Sequence, residues 1–221
     1  MLNPMRQDRL VWRTRMGKDG DYSATILWDD VRSVQNEVPW AGLVWFSRSI
    51  PRQSFFMWLL VNKKLKTQDI MSLWQSLGDT NFNLMCCSLC TSGPESHDHL
   101  FFECPFAEQV WDGVKGRAGM EMVQNKWDSI FDHLLQVSNS RNARHVIGKL
   151  VVAAAAYFVW QERNQRLFSP KRTADQLVEV ILTTVGIKLH SMRFKRTTQV
   201  NAILLEWSLP HGLLMEDDDC G

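Results

Sequence analysis

The sequence predicts a mainly α-helical protein, in which a helical region with a short β-hairpin is followed by a C-terminal region of long helices. Two observations support this fold class. Apolar residues recur at helical spacing along most of the chain. Prolines, glycines and hydroxyl side chains stand where such helices would begin or end. The strand-like run that starts at Val11 is short and leads into a glycine-containing turn, so it predicts a hairpin rather than a larger sheet.

The first helices are predicted from their end signals. Ser23 is a candidate N-cap for a helix that runs through Val34, directly after the hairpin. Pro51 can occupy the first turn of a helix that ends near Val61 and carries many large apolar residues. Thr67 is a candidate N-cap for a helix over residues 68–75, which Gly78 would end. These three helices would supply much of a first core.

Longer helices are predicted in the second half. Pro105 can open a helix that carries Phe106, Val110 and Trp111 on one apolar face, and we expect Trp111 to be buried. Several glycines between residues 113 and 119 predict a break before the next helix. Further helices are predicted over residues 127–137, over residues 142–168 with an alanine-rich centre, and over residues 174–192. Residues 199–207 show no clear period and are left unassigned.

Composition limits the class of protein. A chain of 221 residues with 45% hydrophobic residues can bury one sizeable core or two small ones. No apolar signal segment follows the N-terminal Met, so we expect a protein of the nucleus or cytoplasm rather than a secreted one. The apolar run over residues 150–160 is too short to span a bilayer, so no membrane role is expected. The net charge of +1 includes four consecutive acids in a predicted tail, residues 208–221.

A cluster of cysteines and histidines predicts a metal site. Cys87 and Cys90 have the spacing with which two thiolates on a tight turn bind one ion, and His99 and Cys104 can complete tetrahedral coordination. Three sulfurs and one imidazole favour zinc. Since protein side chains fill all four positions, we expect a structural rather than a catalytic zinc ion.

The ligand assignment leaves alternatives open at this stage. Cys86 adjoins Cys87, and His97 lies two residues before His99, so a shifted ligand set has nearly the same spacing. In the favoured set, Cys86 and His97 lie outside the coordination shell, although His97 can hydrogen-bond a ligand or replace one.

Several separated motifs, taken together, carry a family resemblance. They are Trp40 to Trp45, Ile50 to Leu59, Leu65 to Asp69, the Cys87–Cys90 pair, Glu95 to Phe106 and Val110–Trp111. In this order they resemble the reverse transcriptase zinc-binding domain of plant LINE-type, that is non-LTR, retrotransposons, over roughly residues 22–111. Residues 157–168 also resemble the helix that follows this domain in related plant proteins. A difference from the family pattern is Ser88, where a proline is usual between the paired cysteines.

The resemblance implies a domain organisation and a role. We expect a lead-in over residues 1–20, the zinc-binding domain over residues 21–116, a helical region over residues 117–207 and the acidic tail. The resemblance further implies a module that accompanies a polymerase and helps to hold nucleic acid. A reverse transcriptase acting in trans is therefore an expected partner.

The chain itself offers no recognisable catalytic residues. A polymerase needs metal-binding carboxylates on strands, whereas Asp29 and Asp30 lie in a helix-like stretch and are interpreted as a solvated face. The histidines outside the cysteine cluster have no evident nucleophile or carboxylate partner. We therefore expect no enzymatic activity.

The distribution of basic residues indicates a candidate surface for binding RNA or DNA. No acid occurs between Glu37 and Asp69, and basic residues are interleaved with aromatic residues there. The candidates for contact with nucleic acid are Arg48, Arg52, Lys63, Lys64, Lys66 and, in the later helix, Arg163. The alternative is that these side chains only solubilise helix surfaces, with Arg163 paired to Glu162 or to a neighbouring helix. A protein-interaction module and a nonfunctional remnant of a retrotransposon remain alternative functions.

Overall fold

The computed structural model describes residues 10–32, 36–74, 86–166 and 171–215. The chain divides between Val38 and Pro39 into two compact units. The predicted fold class, mainly α with a short hairpin, is confirmed. The division into four segments at residues 20, 116 and 207 stays a prediction.

The first unit contains the predicted hairpin and one helix. Strands β1 (Val11–Arg13) and β2 (Asp19–Asp21) pair antiparallel, and helix α1 (Ala24–Val31) follows. The Asp30 carboxylate accepts hydrogen bonds from Trp12 Nε1 at 3.2 Å and from the Arg15 backbone N–H at 3.1 Å. Asp30 thus joins the hairpin to the helix instead of lying on a purely solvated face. The helix ends earlier than predicted, and Val34 lies outside the described residues.

The second unit is a helical assembly. Its helices are α2 (Ala41–Val44), α3 (Pro51–Val61), α4 (Gln68–Trp74), α5 (Pro105–Ala118), α6 (Trp127–Gln136), α7 (Ala143–Gln165), α8 (Ala174–His190) and α9 (Thr198–Glu206). A π-helical turn at His99–Glu103 precedes α5. The predicted starts at Pro51, Pro105 and Ala174 agree with these bounds, because proline or a capping hydroxyl fixes each of them locally. The predicted end of α4 lies outside the described residues.

Helix α7 is the centre of the second unit. It contacts α3, α5, α6, α8 and α9, and the side chains from Val146 to Ala156 along it are buried. Small alanine side chains allow the neighbouring helices to approach closely, as their sequence predicted. By length and composition alone, α7 could also cross a membrane, but 67% of its most apolar 18-residue window is buried inside the protein, as expected for a core helix.

Helix α5 corrects one prediction. The glycines after residue 112 do not break the helix, which continues to Ala118 and ends at Gly119 with φ +70°. A Cβ on Gly113 would lie 2.6 Å from Val178 Cγ2 on α8. Gly113 therefore serves close packing between two helices, whereas Gly119 supplies the left-handed backbone of the C-cap.

Helix α9 occupies the segment that the sequence left unassigned. The Thr197 hydroxyl caps it by accepting from the Val200 N–H at 3.1 Å. Val200, Ile203 and Leu204 are buried, which is the three-and-four spacing of a helix that packs on a core. Exposed Leu205, at 75%, obscures this pattern in the sequence.

Candidate metal centre

Two short turns present the four predicted ligands. An isolated bridge between Cys86 and Pro94 closes the first turn, and the Cys87 N–H donates to Gly93 O at 2.6 Å within it. The second is the π-helical turn, in which the Cys104 N–H donates to His99 O at 2.6 Å. Pro105 is the first residue of α5, so Cys104 is the N-cap residue of this helix and its position is fixed by the helix start.

The structure brings these four side chains to one point. The ligand atoms of Cys87, Cys90, His99 and Cys104 all lie within 4.8 Å of one another. The Cys87 and Cys104 sulfurs are 3.9 Å apart, and Cys90 Sγ lies 3.4 Å from His99 Nε2. A tetrahedral zinc ion with bonds of about 2.3 Å to sulfur and 2.0 Å to nitrogen would separate its ligands by roughly 3.5–3.8 Å. The spacing and the donor set both fit zinc.

The thiols of Cys87 and Cys104, 3.9 Å apart, affect each other's pKa. The Cys104 contact lowers the pKa of Cys87 to about 4, while the same contact and burial raise the pKa of Cys104. Zinc binds thiolates, so the raised pKa of Cys104 means that metal binding at this thiol releases a proton. Metal affinity is therefore coupled to pH.

Cys86 and His97 lie outside the cluster. Cys86 is exposed. His97 is buried, with Nε2 donating to the backbone O of Leu60 at 3.1 Å, and burial lowers the pKa of its imidazole. Its ring also packs edge-on against Phe101, with 5.3 Å between centroids. His97 therefore attaches the end of α3 to the metal-binding segment, and the favoured ligand set is the one that the geometry assembles.

A buried ion pair connects the metal-binding segment to α7. The Glu95 side chain is 0% exposed, and the Arg163 side chain is 14% exposed. Arg163 donates to the Glu95 carboxylate from Nη2 at 2.6 Å and from Nε at 3.0 Å, while the Gln68 N–H donates to the same group at 3.3 Å. The structure thus places Arg163 inside the protein, with a different partner from the predicted Glu162.

The end of α7 also holds the turn that carries Cys87 and Cys90. Arg166 donates to the backbone oxygens of Ser88, at 3.2 Å, and Leu89, and its Nε donates to Glu162 at 3.0 Å. The Ser88 hydroxyl donates to Arg163 O at 3.4 Å. The sequence did not predict these roles of Glu95 and Arg166, because their partners Arg163 and Ser88 lie 68 and 78 residues away along the chain.

The other candidates for contact with nucleic acid are exposed. Arg52 lies 3.3 Å from the Tyr157 hydroxyl, Lys63 lies 3.4 Å from Asp98, and Lys64 Nζ lies 4.7 Å above the Trp58 ring. Arg48 stands apart from them, at a cavity near the start of α7. Lys66 is also exposed. The structure therefore groups Arg52, Lys63 and Lys64 around α3 and separates Arg48 and Arg163 from them.

Comparison with known families agrees with the metal site. Residues 22–111 match the family described as zinc-binding in reverse transcriptase. Neither a curated protein nor a solved structure gives a significant match. The matched region contains all four ligands, which identifies zinc as the metal of this site. Helix α7, which supplies Arg163 and Arg166, lies outside the matched region.

Proposed function

Since residues 22–111 match the zinc-binding family of reverse transcriptases, we propose that this chain is a structural zinc module that binds RNA or DNA without sequence specificity. In this proposal zinc holds the scaffold, exposed basic residues contact phosphates, and the module has no catalytic activity of its own. The motifs that resemble plant LINE-type retrotransposons support an origin in such an element. A reverse transcriptase acting in trans, in the nucleus or cytoplasm, is then the proposed partner.

The nature of the zinc site supports a structural role. Three sulfurs and one imidazole fill a tetrahedral shell, which leaves no coordination position for water or substrate. Cys87 and Cys104 are buried, and the surrounding phenylalanines Phe101 and Phe102 are buried too. Metal binding at such a site contributes directly to folding.

The proposal that the protein binds nucleic acid rests on one surface. We call it the α3 surface, and its residues are Arg52, Phe55, Trp58, Lys63 and Lys64. Phe55 is 56% exposed and stacks on Trp58, with 5.7 Å between centroids. Lys64 lies over the Trp58 ring. An exposed phenylalanine and a partly exposed tryptophan beside cations supply the two kinds of group with which proteins stack unpaired bases and neutralise phosphates.

The alternative of a protein-interaction module receives less support. This alternative needs exposed apolar area over residues 151–168, but the side chains from Val151 to Ala156 are buried in the protein's own core, and Tyr157, Phe158 and Trp160 are partly buried against it. The acidic residues of the tail lie outside the described residues. No contact among the described residues favours this alternative over the α3 surface.

Fluorescence anisotropy tests the proposal. Zinc-loaded protein is titrated into labelled single-stranded RNA and duplex DNA at several salt concentrations. We expect micromolar affinity whose logarithm falls with the logarithm of salt by about 0.7 to 0.9 per phosphate contact. We expect Arg52→Gln/Lys64→Gln to weaken binding and to reduce this slope.

A matched control is available in Lys126→Gln/Lys171→Gln. It removes the same charge from two exposed lysines that lie outside the α3 surface. If the control weakens binding as much as the α3 variant, net charge rather than this surface is responsible. If the folded, zinc-loaded protein binds neither nucleic acid, the proposed function is wrong.

A further inference from the structure

A basic cavity lies in the second unit, away from the zinc ligands. Its volume is about 340 Å³, within the range of small-ligand sites. Four cationic side chains from separate parts of the sequence line it, namely Arg48, Arg141, Arg193 and Lys195. No acidic residue lines it among the described residues. The fold therefore brings together positive charge from the α2–α3, α6–α7 and α8–α9 loops.

Two helices begin at this cavity. Ala143 is the first residue of α7, and the α9 residues Gln199 and Val200 also belong to the lining. Asn142 Nδ2 donates to Gln199 Oε1 at 2.9 Å and holds the two helix starts together. Each helix start carries partial positive charge and N–H groups without a partner inside the helix, which adds to the field of the four cations.

The cationic side chains are available for a ligand. Arg48, Arg141 and Lys195 are exposed, and none of the three has a hydrogen bond or an ion pair to another described residue. Arg193 donates from Nη1 to Gly212 O at 2.6 Å, which fixes its direction. Among the described residues no acid lies in the cavity lining to balance these cations, so the positive field there is electrostatically suited to an anion.

Apolar side chains line the cavity beside the cations. They are Val146, Met192, Phe194, Val200 and Met215. Inorganic phosphate would use only the cations, whereas a nucleotide could also place its base or sugar against the apolar side chains. Arginine is well suited to the phosphate because its planar guanidinium can donate two parallel hydrogen bonds.

We propose that this cavity binds the phosphate of a nucleotide, either at the end of a nucleic acid strand or as a free nucleotide. The choice of a nucleotide rests on the proposed function, whereas the anion preference rests on the cavity alone. The site is distinct from the α3 surface, and Arg48 belongs to it rather than to that surface.

The experiment compares two RNA strands that differ only at the 5′ end. One carries a 5′-phosphate and the other a 5′-hydroxyl, both labelled at the 3′ end, and adenosine monophosphate is the free-nucleotide probe. Binding is measured for the zinc-loaded wild type, for Arg48→Gln/Arg141→Gln and for the control Lys126→Gln/Lys171→Gln. All four substituted residues are exposed, and zinc stoichiometry verifies the fold of each variant.

If the cavity binds the end of a strand, the wild type and the control should bind the 5′-phosphorylated strand about tenfold more tightly than the 5′-hydroxyl strand. A tenfold difference corresponds to about one charge-assisted hydrogen bond. The preference should fall below about twofold in Arg48→Gln/Arg141→Gln. A site for a free nucleotide instead predicts that adenosine monophosphate binds the wild type and control at least about tenfold more tightly than this variant.

The outcomes separate this proposal from the proposed function. If both strands bind equally and with the expected salt dependence, and the mononucleotide does not bind, the cavity proposal is wrong while the proposed function stands. If the mononucleotide binds and depends on Arg48 and Arg141 but neither strand binds, the cavity is a nucleotide site and the proposed function is wrong. Binding that Arg48→Gln/Arg141→Gln leaves intact overturns the cavity proposal.

Discussion

Arg163 on α7 donates hydrogen bonds from Nε and Nη2 to Glu95, the carboxylate that lies between the paired cysteines and the His99 turn along the chain. The pair links residues 68 positions apart. Through this pair, α7 supports the metal-binding segment although α7 itself lies outside the family match. The guanidinium, stacked at 5.0 Å from the Trp160 ring, closes the metal-binding segment against the central helix.

Breaking this pair should destabilise the protein strongly. Among the described residues, Arg163→Met leaves the Gln68 N–H as the one donor to the fully buried Glu95 carboxylate, and we expect a loss of about 3 to 5 kcal/mol in the free energy of unfolding. Urea unfolding of the zinc-loaded protein measures it. Glu95→Gln should cost a similar amount, and the double variant should lose less than the sum of the two single variants.

A surface pair provides the comparison. Lys115 Nζ lies 2.5 Å from Asp112, and both side chains are partly exposed. We expect Lys115→Gln to cost less than about 1 kcal/mol, because solvent screens such a pair. Equal losses for Lys115→Gln and Arg163→Met would show that the burial of the Glu95 pair has no energetic consequence.

Removal of a zinc ligand should abolish stoichiometric metal binding. Cys104→Ser removes one buried thiolate, and since structural zinc in small domains binds with about 10 to 16 kcal/mol, losing even a quarter of this destabilises the fold by more than about 2 kcal/mol. Zinc content per chain and the thiolate-to-metal absorption of the cobalt(II) form measure site occupancy. A chelator should lower the melting temperature of the wild type and have little effect on Cys104→Ser.

Cys86, which adjoins the ligand Cys87 along the chain, provides the matched control for this prediction. Cys86→Ser changes an exposed sulfur outside the cluster, so zinc content and the cobalt spectrum should remain those of the wild type. Loss of the metal in Cys86→Ser together with its retention in Cys104→Ser would overturn the ligand assignment.

Local signals account for what the sequence predicted correctly. Pro51 and Pro105 determine helix starts through their fixed φ angle and missing N–H, and the Cys87–Cys90 spacing brings two thiolates to one side of a turn. Each of these features depends on a few consecutive residues. The fold class and the metal cluster could therefore be predicted from the sequence alone.

Features that depend on distant partners were not predictable. Lys149 on α7 is 2% exposed, and its Nζ donates to Ser138 O at 2.8 Å and to Gly42 O at 3.4 Å, partners that its local sequence does not show. Gly113 appeared as a helix breaker because only the position of Val178 on α8 shows why glycine is required there. In both cases tertiary packing outweighs local propensity.

Two glycines in helix interiors should respond oppositely to alanine. A Cβ on Gly186 meets no atom within 4 Å, so Gly186→Ala should stabilise the protein by about 0.5 to 1 kcal/mol through helix propensity. Gly113→Ala should instead cost a net amount of about 1 kcal/mol, because the new Cβ overlaps Val178. Urea unfolding measures both, and Val178→Ala in the Gly113→Ala background should recover part of the loss. Stabilisation by Gly113→Ala would contradict the close packing of α5 on α8.

The pH dependence of stability should contain a contribution from His145 on α7. Burial, followed by the nearby charges of His133 and Lys149, lowers the pKa of His145, whose Nδ1 lies 2.7 Å from Ser140 Oγ. The unfolded chain therefore binds a proton at this residue at a higher pH than the folded chain does. Its stabilising contribution is complete above the unfolded pKa of about 6.5 and is lost as the pH falls from there through the folded pKa. Urea unfolding at pH 7.5, 6 and 5 should show a smaller loss of stability on acidification for His145→Gln than for the wild type. The pH dependence of the zinc ligands is common to both proteins and cancels in this difference, so parallel curves would show that His145 is not the group responsible.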